Sequence, residues 1–140
     1  MCGIAGYYNS VDNIASLEEA IDLIQHRGPD DSGTYINHQS RVGLGHRRLS
    51  IIDTSTLGHQ PMLDSTEKIV LVFNGEIYNY KELKVDLMEK GFIFKGNSDT
   101  EVLLNLYISK GTQMLSELNG IFSFAIWDSN LEQLFLARDH

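Results

Sequence analysis

Apolar residues recur along this chain with two periods, separated by polar turns. Ile69-Val70-Leu71-Val72-Phe73 is an unbroken apolar run, the mark of a strand covered on both faces. It ends abruptly in Asn74-Gly75-Glu76, which reads as a polar turn leaving a buried strand. Residues 3–8 predict a second buried strand, and 34–37 with 41–45 two short strands joined by a polar turn. Residues 92–95 predict another short strand. Residues 121–128 and 132–138 predict a hairpin joined at Ser129-Asn130-Leu131.

Helical spacing follows each polar pair with capping-box separation. Ser16 with Glu19 precedes Leu17, Ala20, Ile21 and Ile24, and this helix should stop before Gly28-Pro29. Asn79 with Glu82 opens a helix through Leu83 and Leu87 that Gly91 can end. Ser98 with Glu101 opens another through Val102, Leu103, Leu106 and Tyr107, ending at Gly111. Residues 9–15 look like a turn, and a long loop through Gly58-His59-Gln60-Pro61 runs to about Lys68. Strands that segregate from a few helices favour an α+β fold, with helices packed outside a stacked pair of sheets.

Composition narrows the classes. At 140 residues the chain fits one domain, and 42% hydrophobic with 21% charged residues is ordinary for a folded globular protein. A net charge of −8 disfavours nucleic acid or an anionic membrane surface as the main partner. A single cysteine forms no internal disulfide, and neither a secretory signal nor a membrane-length apolar run is present. A cytoplasmic location is the default. The chain stops at Ala137-Arg138-Asp139-His140, at or just after a strand, with no cap and no polar tail. It is therefore expected to be cut.

That single cysteine is Cys2. Removal of Met1 would leave one residue with both a thiol, of reference pKa about 8.5, and an α-amine, of about 7.7–8.0. Such an amine can serve as base for its own residue's nucleophile. The alternative is a small buried apolar residue that starts a strand. His26, His38, His46, His59 and His140 form no helical i, i+4 pair and have no cysteine ligand beside them, so no metal site is expected. A serine-nucleophile elbow is absent, and the turn-rich stretch from Arg27 to Gly33 does not match a phosphate loop. What remains is Cys2 with Arg47-Arg48, Asn74-Gly75-Glu76 and Ser98-Asp99. A thiolate attacking an amide needs oxyanion donors, which an asparagine side chain and a glycine N–H can supply. An arginine grips a carboxylate with two parallel bonds, and carboxylates hold an ammonium. Glutamine would use all of these groups.

The chain resembles the glutaminase domain of the class II, N-terminal-nucleophile glutamine amidotransferases, and within them the N-terminal part of the glutamine-hydrolysing asparagine synthetases. The resembling residues are Met1-Cys2-Gly3-Ile4-Ala5-Gly6, His26-Arg27-Gly28-Pro29-Asp30, Arg48-Leu49-Ser50-Ile51-Ile52-Asp53, Gln60-Pro61, Asn74-Gly75-Glu76-Ile77-Tyr78-Asn79, Ser98-Asp99-Thr100-Glu101 and Ala137-Arg138-Asp139-His140. Any one is weak; the ordered set is highly specific. The resemblance implies an α/β/β/α sandwich of two stacked antiparallel sheets, truncated at its C-terminus. It implies that residues 1–140 are a glutaminase domain incomplete at that end, with the acceptor domain absent. Cys2 would be the nucleophile and its own amine the acid and base. Asn74 and the Gly75 N–H would form the oxyanion hole. Arg48 would bind the α-carboxylate of glutamine and Glu76 and Asp99 its α-amino group, with backbone around Ile52 lining the pocket.

Bland readings stand beside these. Arg47 and Arg48 could be an exposed basic pair, Asn74-Gly75 a hairpin turn, and Asp99 a residue that favours a helix dipole. His26 and Arg27 read as structural, because a helix C-terminus welcomes cations. The resemblance implies no cofactor for this domain, with ATP and Mg expected only in the synthetase domain that receives the ammonia. Glutamine and that missing domain are the implied partners, and a homodimer of the full-length protein stays open. Other carboxylate acceptors, such as sugar acids, stay open too, as does a non-catalytic docking or glutamine-sensing module that retains Met1.

Overall fold

The computed structural model describes residues 2–9, 14–50 and 56–140; Met1 and Ile52 lie outside them. Strands β1 (Gly3–Tyr8), β2 (Asp31–Asn37) and β3 (Val42–Arg48) form one antiparallel sheet in the order β1-β3-β2. Strands β4 (Met62–Leu63), β5 (Ile69–Ile77), β6 (Gly120–Asp128) and β7 (Gln133–Arg138) form a second, in the order β4-β5-β6-β7. Helices α1 (Ile14–Leu23), α2 (Tyr80–Glu89) and α3 (Asp99–Lys110) complete the main elements. No helix among the described residues is long and apolar enough to cross a membrane.

The continuous apolar run in β5 divides by the two-residue period of a strand. Ile69, Leu71, Phe73 and Ile77 pack with Leu83 and Leu87 of α2 and Val102, Leu103 and Leu106 of α3. Val70 and Val72 face the other way, with Ala125 and Trp127 of β6, onto Val42 and Leu44 of β3. Burying each large apolar side chain contributes about 1.5–3 kcal/mol, so both faces of β5 hold the molecule together. Helix α1 covers the outer face of the first sheet. There a Cβ on Gly45 would lie 2.5 Å from Ile21 Cγ1, so only glycine lets α1 approach this closely. The layers therefore run α/β/β/α.

Several local expectations give way to tertiary contacts. Residues 74–76 continue β5 instead of turning, because β6 pairs with them through Asn74↔Ser123 and Glu76↔Ile121. Helix α1 begins at Ile14, so Ser16 is inside it and does not cap it. Residues 92–95 form no strand: the Lys95 and Gly96 amides donate to the Glu101 carboxylate at 2.7 and 2.8 Å. Ser98 caps α3 as expected, its hydroxyl accepting from the Glu101 N–H at 3.2 Å. Asn79 precedes α2 without a side-chain cap bond. Its carboxamide instead donates to Glu117 O at 2.8 Å and accepts from Asn119 N at 3.0 Å, fixing the turn that leads into β6.

Candidate active site

A cavity of about 300 Å³ opens where the N-terminus, the end of β3, the end of β5 and the start of α3 meet. Cys2, Arg48, Asn74, Gly75, Glu76 and Asp99 all line it. Ile52 falls outside the described residues.

Cys2 enters this cavity because β1 pairs antiparallel with β3, Gly3 opposite Arg47, which sets Cys2 beside the residues after β3. Its Sγ accepts from Leu49 N at 3.3 Å and lies 3.7 Å from Leu49 O. Arg27 Nε donates to Cys2 O at 3.1 Å. Arg27 thus does more than sit at a helix end; it holds the backbone of the cysteine.

The alternation of β3 separates the two arginines. Val42, Leu44 and His46 point between the sheets, so Arg47 goes to the α1 side and Arg48 inward. Arg47 donates to Ile21 O at 3.0 Å and pairs with Asp22 at 2.5 Å. Arg48 is 8% exposed, with its guanidinium against Gly58, where a Cβ would lie 2.0 Å from Nη2. Gly58 thus makes room for the arginine.

Alternate residues of an antiparallel strand turn their N–H and C=O to opposite edges. Odd-numbered residues of β5 turn theirs away from β6. Ile69 O accepts from Asp64 N at 3.0 Å, Phe73 N donates to Gln60 Oε1 at 2.6 Å, and Ile77 N donates to Asp99 Oδ2 at 3.1 Å. Gly75 falls in the same alternation, with φ of 150°, and a Cβ there would lie 2.1 Å from Ile121 O. The position admits only glycine. Beside it, the buried side-chain oxygen of Asn74 has no hydrogen-bond partner.

Two carboxylates share the cavity. Asp99 is 5% exposed, and burial pushes its carboxyl pKa above the ordinary value, the nearby Glu76 adding to the rise. An ammonium placed there would offset both effects. His46 is fully buried, with Nε2 3.0 Å from Phe73 O, and burial lowers its pKa to about 4. It is therefore neutral at pH 7, and because a carbonyl only accepts, Nε2 carries the proton. Among the described residues, no three His, Cys, Asp or Glu side chains gather to hold a metal ion.

A family model described as glutamine amidotransferase domain matches residues 1–140. The chain belongs to that family. Relatives include asparagine synthetase (glutamine-hydrolyzing) 1 of Bacillus subtilis (strain 168), 45% identical over 145 residues, with 99% of this chain and 22% of that protein covered. Amidase chry2 of Gibberella zeae is 47% identical over 126 residues, with 90% of this chain and 19% of that protein covered. The chain thus spans about a fifth of the length of these relatives. Glutamine phosphoribosylpyrophosphate amidotransferase of B. subtilis shares the fold, with a TM-score of 0.75 at 23% identity, over 99% of this chain and 36% of that one.

Gln60, Gly58 and Thr100 also line the cavity and were not assigned a role from sequence. Gln60 and Thr100 stood among the resembling residues and Gly58 in the long loop, and nothing else in the sequence pointed to them.

Proposed function

We propose that this chain is the glutaminase domain of an amidotransferase, hydrolysing the side-chain amide of glutamine and passing the ammonia to a separate acceptor domain. One observation carries the reading: a single cavity gathers a thiol, a carboxamide with an unpartnered buried oxygen, a buried arginine and two carboxylates. The α-amine of Cys2 takes the thiol proton, and the thiolate attacks the amide carbon, forming a C–S bond. The oxyanion takes hydrogen bonds from Asn74 Nδ2 and the Gly75 N–H. No bond at its oxygen holds the Asn74 carboxamide against the flip that aims Nδ2 inward. The α-amine of Cys2 returns the proton to the leaving nitrogen, the C–N bond breaks, and a thioester remains. Water then adds to the thioester carbon, giving its proton to the same amine; the C–S bond breaks, the amine returns the proton to the sulfur, and glutamate leaves. Arg48 holds the α-carboxylate of glutamine, and Glu76 and Asp99 its α-ammonium, which explains why two carboxylates share a cavity with a cation.

Aspartate is the acceptor suggested by the asparagine synthetase relatives. At comparable identity one relative carries a name other than asparagine synthetase, Amidase chry2, and this favours keeping a second reading, in which the acceptor is a carboxylate other than aspartate. The test of the shared first half is Cys2→Ala, with glutamate release and labelling by an electrophilic glutamine analogue as readouts. Both should vanish, and intact mass of the wild type should lack Met1. Glutamine hydrolysis surviving in the alanine variant would sink the mechanism, and a retained Met1 would favour a non-catalytic module.

A further inference from the structure

Strand β4 is only two residues long, and its register against β5 shows which residue would come next. Met62 pairs with Leu71 and Leu63 with Val70. Continued by two residues, the ladder would set Gln60 opposite Phe73. The pairing stops at Met62, and it is not the backbone of Gln60 that meets Phe73. The side chain of Gln60 takes over the role of the missing strand. Its Oε1 accepts from Phe73 N at 2.6 Å, and His46 Nε2 meets Phe73 O at 3.0 Å. Both backbone groups of the residue before Asn74 are thus held by buried side chains.

The other end of the Gln60 carboxamide reaches α3. Nε2 donates to Thr100 Oγ1 at 3.3 Å, one residue beyond Asp99. Asp99 itself accepts from Ile77 N at 3.1 Å. Two ties therefore join β5 to the start of α3, one on each side of Asn74-Gly75-Glu76. Gln60 is 4% exposed and forms part of the cavity wall.

We propose that Gln60 is a positioning residue that fixes the oxyanion-binding segment of β5 relative to the ammonium-binding end of α3. This rests on the glutaminase reading. Those two segments grip different ends of one glutamine, so their separation decides where the amide carbon lies relative to Cys2. A misplacement of about 1 Å can cost about 10²-fold in rate.

The experiment compares wild type, Gln60→Met, Thr100→Val and Thr100→Ser on the full chain. Steady-state glutaminase kinetics, Cys2 labelling by an electrophilic glutamine analogue, and Cys2 alkylation by iodoacetamide are measured. Gln60→Met and Thr100→Val should lower kcat about tenfold or more and slow analogue labelling in proportion. Alkylation by iodoacetamide, which needs neither segment, should stay within about twofold, whereas general damage to the fold would change it. Thr100→Ser keeps the hydroxyl and should recover most of the activity lost in Thr100→Val. Unchanged kcat and KM in Thr100→Val, or an equal loss of iodoacetamide reactivity in both variants, overturns the proposal. Wild-type protein that neither hydrolyses glutamine nor reacts with the analogue overturns the glutaminase reading itself, and the proposal with it.

Discussion

Acid should destabilise this protein through His46 in particular. The ring is fully buried, meets Phe73 O at 3.0 Å, and has its pKa lowered from 6.5 to about 4 by burial, with Arg48 and His59 opposing protonation and Asp31 favouring it. Between those two values the unfolded chain takes up a proton that the folded chain refuses. The stabilisation is therefore complete above pH 6.5 and lost as pH falls to about 4. At about pH 4.5 the linkage amounts to roughly 2.5 kcal/mol, a large part of a typical total of about 5–15 kcal/mol. Urea unfolding at pH 7 and at about 4.5 would be compared for wild type and His46→Gln, which keeps a donor for the Phe73 carbonyl but cannot titrate. Wild type should lose about 2.5 kcal/mol more than the variant across that interval. Parallel losses, within about 0.5 kcal/mol, would show that His46 is not the neutral buried group described.

Two further predictions concern the chemistry. Asn74→Ala should lower kcat roughly 10²–10³-fold with little change in KM, because in the proposed mechanism the carboxamide acts mainly on the oxyanion; a KM effect alone would refute this. The KM for glutamine should rise on acidification at a pH above that of an ordinary aspartate, because burial raises the Asp99 pKa and only the ionised carboxylate holds an ammonium. Asp99→Asn keeps an acceptor for the Ile77 N–H but should raise KM and flatten that dependence; an unchanged pH profile of KM would count against the assignment.

Much of the fold was legible because long apolar runs and helix ends are local signals. Ser98 and Gly111 end α3 as spacing suggests, and the hairpin of β6 and β7 falls where its turn residues lie. Local signals failed where a distant partner decided the outcome. Asn74-Gly75 has turn chemistry, but the ladder to β6, nearly fifty residues on, keeps it extended. The choice between Arg47 and Arg48 depends on which face of β3 meets α1, and adjacent identical residues carry no such information. Gln60 bonds to residues 13 and 40 positions away, so no window around it could show its role. The resemblance selected Arg48 by motif order, and packing turns that arginine, not Arg47, into the cavity.

The short β4 bears on how the molecule stays apart from its neighbours. A bare strand edge is a template on which another chain can add itself. Beyond Met62, no strand among the described residues pairs with this edge of β5, and two of its amides are already occupied by the side chains of Gln60 and Asp99. An incoming strand finds those rungs taken and meets a buried carboxylate. The residues that shape the cavity therefore also act as guards against strand addition. Changes at Gln60 or Asp99 should erode solubility as well as turnover, so selection for a soluble chain and selection for a working site press on the same two positions.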